Sequence, residues 1–105
     1  MSLPVMSQYP KELWAKDGSP IRVKFVNGYR DDPNQLGEFC PESNTISVRK
    51  GLNKAELFKI FLHECVHAAE EDAGKVIPHK YVDWFEDYVG EFIVRNWDAF
   101  GELFR

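Results

Sequence analysis

The sequence has few cysteines, few histidines and no long apolar run. Its 105 residues include two Cys and three His. Two Cys cannot build a disulfide framework, so we expect a reducing, cytoplasmic location. No stretch approaches the roughly 18 apolar residues of a membrane-spanning helix, and the N-terminus lacks the basic and apolar segments of a signal peptide. We therefore expect no membrane partner.

The chain also lacks an excess of positive charge. Its net charge is −4, from 13 Lys and Arg against 17 Asp and Glu. Residues 51–105 hold six of the basic and eleven of the acidic side chains, so the acidity lies in the second half. Nucleic-acid binding proteins present a basic face to the phosphate backbone. We therefore expect no nucleic-acid partner.

The length and composition predict one small globular domain. The hydrophobic fraction of 44% and the charged fraction of 29% are typical of a folded protein and argue against disorder. A chain of this length forms a single domain, which we assign to residues 1–105. Residues 1–10 are expected to form a loose N-terminal segment of that domain.

The first half predicts mainly β-structure. Lys11 to Lys16 is expected to form a short helix, ended by the breaker sequence that follows it. Ile21 to Val26 alternates apolar and polar residues and predicts a strand. Two further short strands, Gly37 to Cys40 and Thr45 to Arg49, flank a turn-forming sequence and predict a hairpin. The expected sheet is small and antiparallel.

The second half predicts helices. Asn53 with Glu56 three residues later has the spacing of a helix N-terminus. The apolar pattern then predicts a helix from Lys54 to about Asp72, terminated by Gly74. A second helix is expected to start near Pro78 and His79. The resulting class is an α+β domain with a packed C-terminal helix.

The second helix is rich in aromatic residues, which we interpret as core. Tyr81, Phe85, Tyr88 and Phe92 recur at helical spacing, and Trp84 lies among them. The last residues, from Asn96 to Arg105, are amphipathic and predict a short third helix.

The main chemical signal is His63-Glu64-Cys65-Val66-His67, an H-E-x-x-H motif. Residues four apart on a helix share one face, so both imidazoles can bind one zinc ion. Glu64 would then lie beside the metal as a general base for a water activated by zinc. The alternative is two hydrogen-bonded core histidines and an ion-paired glutamate. Cys65 is expected to point into the core.

A catalytic zinc requires a third protein ligand, and the second helix offers three candidates. His79 is the remaining histidine of the chain. Asp83 and Glu86 lie on the same helical face and are alternative third ligands. If His79 binds the metal, Asp83 can accept a hydrogen bond from an imidazole.

These residues resemble the small zincin-like metallopeptidases, particularly the minimal forms found in phages and prophages. The resemblance covers roughly residues 21–96 and includes the hairpin before the motif helix. The sequence is also similar to the ImmA/IrrE-type peptidases, whose third ligand is a Glu on the second helix. His79 takes that place here, and SprT-like peptidases likewise use three His.

The resemblance implies a function as well as a fold. It implies a zinc metallopeptidase with one zinc ion per chain, Glu64 as general base and a protein or peptide substrate. The substrate would lie extended along a sheet edge, which the Gly37–Arg49 hairpin could supply. Tyr29 is a candidate oxyanion donor, with an anchored loop aromatic as its alternative. The alternative function is a catalytically silent, zinc-bound regulatory or protein-interaction module.

Overall fold

Four strands form one sheet in a computed structural model that describes residues 3–103. A short 3-10 turn, Met6–Gln8, precedes β1. The strands are β1 (Glu12–Trp14), β2 (Pro20–Val26), β3 (Gly37–Cys40) and β4 (Thr45–Arg49). The helices are α1 (Lys54–Ala73), α2 (His79–Trp84), α3 (Glu91–Arg95) and α4 (Trp97–Leu103). A π-helical segment, Phe85–Gly90, joins α2 to α3.

The sheet is mixed, so the expectation of an antiparallel sheet is wrong. The strand order is β1-β2-β4-β3, with β2 and β4 paired in parallel. The hairpin of β3 and β4 forms as expected, with Asn44 of its turn in the left-handed region at φ 51°. After β2 the chain passes the position next to β2 and forms β3 at the edge of the sheet. It then returns and forms β4 between β2 and β3. This path makes β4 run in the same direction as β2 and leaves β3 at the edge.

The short helix expected for Lys11 to Lys16 is instead the edge strand β1. Leu13 is paired with Ile21 of β2 and packs against the hydrophobic core. A six-residue segment is too short to hold a helix without tertiary support. Pairing with β2 satisfies its backbone groups, and the predicted breaker becomes the turn between β1 and β2, where Gly18 has a φ of 88°.

The long helix α1 covers one face of the sheet and begins and ends as expected. The Asn53 side chain accepts a hydrogen bond from the Glu56 backbone N–H at 2.8 Å. Gly74 ends the helix with a φ of 65°. The core lies between α1 and the inward face of β4, where Ile46 and Val48 are fully buried. This packing fixes the position of the motif residues relative to the sheet.

The second helical region packs on α1 through a different face from the one expected. Val82 is buried, whereas Tyr81, Trp84, Tyr88 and Phe92 are each more than half exposed. The aromatic residues at these four positions are therefore not core, and that prediction is wrong; Phe85 is partly buried. The reason is that small and aliphatic side chains allow closer helix contact. Gly90, for example, lies directly against Lys59 and Leu62 of α1.

The third helix, α4, forms within the segment where it was expected, and residues 104 and 105 of that segment lie outside the described part of the chain. Within residues 3–103, no helix is long and apolar enough to cross a membrane.

Candidate metal centre

The helix α1 brings His63 and His67 together on one face, where both side chains are partly buried. They lie four residues apart, so their side chains leave the same face one turn apart. The Nε2 atoms of the two rings are 3.2 Å from each other. Both nitrogens are thus directed at one point beside the helix.

His79 joins them from the first residue of α2. Its ring centroid lies 5.3 Å from that of His63 and 5.4 Å from that of His67. One ligand nitrogen from each of the three rings falls within 4.8 Å of the others. The Gly74 turn and the four residues after it return the chain to α1 and place His79 there.

The three histidines fit a tetrahedral zinc site. Zinc–nitrogen bonds of about 2.0–2.1 Å place two tetrahedral ligand atoms roughly 3.3 Å apart. The His63–His67 separation of 3.2 Å matches that value. His79 has to move inward by a small amount, which its 63% exposed side chain permits. A third protein ligand would leave one coordination position for water.

Each of the three rings has a carboxylate beside it. Glu86 Oε1 is 2.7 Å from His63 Nδ1, although the contact is not aligned as a hydrogen bond. Asp83 Oδ1 is 3.4 Å from His79 Nε2. Carboxylates in such positions orient metal-binding imidazoles and make them more basic. The observed contacts give Asp83 and Glu86 supporting positions next to the histidines, and both remain alternative ligands.

The carboxylate beside His67 belongs to Glu70, which is not among the site residues predicted from the sequence. Glu70 Oε1 lies 2.9 Å from His67 Nδ1, and Oε2 accepts a hydrogen bond from the Ile77 backbone N–H at 2.8 Å. The Ile77 bond is the main cause that lowers the Glu70 pKa. The spacing of three residues from His67 was a usable signal, because such pairs meet on a helix.

Glu64 lies beside the histidines. Among residues 3–103, it is the one charged residue that is buried. Burial raises its pKa to about 7, and the nearby charges of Glu86 and Glu38 act in the same direction. The backbone N–H of Phe39 in β3 opposes this shift. Gly37 gives the side chain room, since a Cβ there would lie 3.0 Å from Glu64 Oε2.

A groove of about 710 Å³ runs between β3 and α1 and contains these groups. Gly37 and Phe39 form the strand side, and the three histidines with Glu64 form the helix side. Val76, on the linker before α2, borders the groove and is 92% exposed. The groove is open to solvent along the edge of the sheet.

The backbone of β3 presents hydrogen-bonding groups toward this groove. The Arg49 backbone N–H donates to the Leu36 carbonyl at 2.9 Å, which makes this pair a hydrogen-bonded one. Antiparallel pairing alternates, so the N–H and C=O groups of Gly37 and Phe39 point outward. The Gln35 side-chain amide occupies one of them by donating to the Gly37 carbonyl at 3.0 Å.

Two other residues considered from the sequence lie away from the groove. Tyr29 forms a 2.7 Å hydroxyl hydrogen bond with Ser47, whose neighbours in β4 face the core while it faces the opposite side. Tyr29 is therefore an anchored loop aromatic in this structure. Cys65 packs against the core as expected, and burial raises its pKa to about 12.

No protein-family model, no curated protein and no solved structure matches the chain.

Proposed function

We propose that the chain is a zinc-dependent metallopeptidase of the minimal zincin-like type. The observation that carries the proposal is the convergence of His63, His67 and His79 beside the buried carboxylate of Glu64. A structural zinc site needs its ligands but has no need of a buried carboxylate at its side. The combination is what peptide hydrolysis requires.

One zinc ion per chain would be held by the three histidines. When bound, zinc lowers the pKa of a water molecule and polarises a carbonyl group. Its ligands come from α1 and α2, and Glu70, Asp83 and Glu86 would keep the three rings oriented.

Glu64 supplies the acid–base chemistry. Glu64 is a buried carboxyl group that lines the groove together with the three histidines, so it can accept and release a proton beside them. In its ionised form Glu64 takes a proton from the attacking water. It then returns that proton to the nitrogen of the leaving amine, so one group serves both halves of the reaction.

The substrate would be an extended peptide that adds to the free edge of β3. The outward carbonyl and N–H of Gly37 offer an acceptor and a donor to a peptide backbone, whereas the N–H of Phe39 already faces Glu64. The peptide would displace the Gln35 amide from the Gly37 carbonyl. This position brings the peptide past Glu64 and the histidine cluster on the other wall of the groove.

The decisive experiment compares the parent with Glu64→Gln in zinc content and in hydrolysis of a quenched fluorescent peptide library. We expect both proteins to carry about one zinc, and Glu64→Gln to lose at least ~100-fold in kcat, because general acid–base catalysis contributes about that much. Glu71→Gln is the matched control, since Glu71 is an exposed carboxylate bordering the same groove.

The outcomes separate the rival functions. Equal cleavage by the parent and Glu64→Gln would contradict the assigned role of Glu64. Zinc binding without cleavage by the parent would support the silent zinc module instead. A folded parent that binds no zinc would overturn the site itself.

A further inference from the structure

The linker between α1 and α2, residues 75–78, has little apolar packing to hold it. Val76 is 92% exposed and Ile77 is 41% exposed. One side chain holds the linker by a hydrogen bond: Glu70 Oε2 accepts from the Ile77 backbone N–H at 2.8 Å. Since His79 directly follows the linker, the position of the linker decides whether His79 reaches the other two histidines.

The same carboxylate also contacts a histidine of the cluster. Glu70 Oε1 lies 2.9 Å from His67 Nδ1, and the Glu70 side chain is only 11% exposed. His67 directs its other nitrogen, Nε2, at His63. Glu70 therefore connects His67 on α1 with the linker that leads to His79.

We propose that Glu70 is a positioning residue that couples metal binding at the histidine cluster to closure of the 75–78 linker. The inference rests on the proposed zinc site. A metal on Nε2 of His67 would fix the ring proton on Nδ1, where it donates to Glu70 Oε1. The carboxylate is then held with Oε2 toward Ile77, and the closed linker holds His79 at the site. Such coupling is reciprocal, so metal must also stabilise the closed linker.

Gln is the diagnostic replacement for Glu70 because it keeps the size and removes one acceptor. A Gln side chain that accepts from Ile77 with its oxygen turns its NH2 group toward the His67 ring. With the proton on Nδ1, two donors then face each other and one of the two bonds is lost. Glu71→Gln makes the same charge change at the adjacent exposed position and should leave the linker unaffected.

The experiment measures hydrogen exchange of the Ile77 amide and zinc affinity in the parent, Glu70→Gln and Glu71→Gln. Zinc should slow Ile77 exchange at least ~10-fold in the parent and in Glu71→Gln. In Glu70→Gln we expect zinc to slow Ile77 exchange much less than in the parent, and zinc affinity lower by about 10–100-fold, which is typical for loss of such a partner.

The parent alone can overturn the inference, even if Glu70→Gln does not fold. Zinc binding that leaves Ile77 exchange unchanged would refute the coupling and leave the zinc site intact. A parent that binds no zinc would overturn the proposed function and the coupling with it. If zinc slows Ile77 exchange in Glu70→Gln as much as in the parent, Glu70 does not couple the metal to the linker.

Discussion

At the residue scale, the chemistry of the site depends on one buried carboxyl group. The Glu64 side chain is buried between β3 and its own helix, α1. Among the causes that shift its pKa, only the hydrogen bond from the Phe39 amide favours the ionised form. Burial disfavours the ionised form, which explains a pKa of about 7 instead of the ordinary 4.5. The group that we propose as the proton carrier therefore also costs the metal-free fold stability.

This cost gives a pH dependence that can be measured in the metal-free protein. The folded pKa of Glu64 is raised above its unfolded value, so its stabilising contribution is complete below about pH 4.5 and is lost as the pH rises to 7. Glu64→Gln does not titrate. We expect its stability relative to the parent to increase between pH 5 and pH 8, by on the order of 3 kcal/mol at most.

Urea unfolding of both proteins in the presence of a chelator, at pH 5 and pH 8, measures this difference. Glu71→Gln serves as the control and should show no such trend. An equal stability difference between Glu64→Gln and the parent at the two pH values would refute the assigned pKa.

At the element scale, the groove exists because β3 approaches α1 closely. Gly37 makes this approach possible, since a Cβ there would lie 2.7 Å from Ile60 Cγ2 and 3.1 Å from Glu64 Cγ. Both distances are below ordinary van der Waals contact. The edge strand and the Glu64 carboxylate are therefore positioned by the same close contact.

Gly37→Ala should therefore destabilise the protein. Overpacking of a tight contact costs about 1–3 kcal/mol because the strand or the Ile60 side chain must shift. Gly28→Ala is the matched control, because nothing lies within 4 Å of a Cβ at that position. Urea midpoints measure both variants, and a Gly37→Ala protein as stable as the Gly28→Ala protein would contradict the contact.

The second helical region illustrates how packing selects a face. Val82, Glu86 and Gly90 are four residues apart and all face α1, where Glu86 contacts His63. The intervening π-helical turn is wider than an α-helical turn, so residues four apart remain nearly in line. The aromatic side chains are left on the outside, and the carboxylates are brought to the histidines.

At the scale of the whole molecule, the core is small for a chain of this length. Within residues 3–103, the large side chains that are almost completely buried are Ile46, Val48 and Val82. The first two connect the sheet to α1, and the third connects α2 to α1. A metal joining α1 to α2 would add a further link between these layers.

Zinc should therefore stabilise the whole fold. At a free zinc concentration 100 times the Kd, the expected gain is about 2.7 kcal/mol, or on the order of 10 °C in Tm for a domain of this size. His79→Ala should lose most of this gain, while Lys80→Ala, at an exposed neighbouring position, should retain it. Thermal unfolding with zinc and with chelator measures both.

If the His79→Ala protein keeps the full stabilisation by zinc, the third zinc ligand is Asp83 or Glu86 instead of His79. Both have an oxygen within 4 Å of His63 Nδ1, which makes them the next candidates.

Parts of the fold and site could be predicted because they depend on nearby residues. The Asn53 cap, the Gly74 terminus and the β3–β4 hairpin each follow from interactions within a few positions. The alignment of His63 with His67 follows from helical spacing alone. The structure places His79 beside this pair, and its binding of a metal stays a prediction.

Other features could not be predicted because they depend on which surfaces meet. The β1 segment becomes a strand only through its pairing with β2, and the exposure of Trp84 and Tyr88 depends on the face that α1 accepts. The contacts of Glu70 belong here too, because its carboxylate accepts from the backbone amide of Ile77, which the chain brings back only after the Gly74 turn.

The sequence by itself determined the long helix, its limits and the two histidines on one of its faces, since local spacing and capping fix these features. Only the tertiary structure decided that β4 runs parallel to β2, that β3 is the free edge and that the groove lies beside Glu64. It also decided which carboxylate supports which histidine. These contacts join residues far apart in the chain, and they form where packing buries the most apolar surface while satisfying the polar groups.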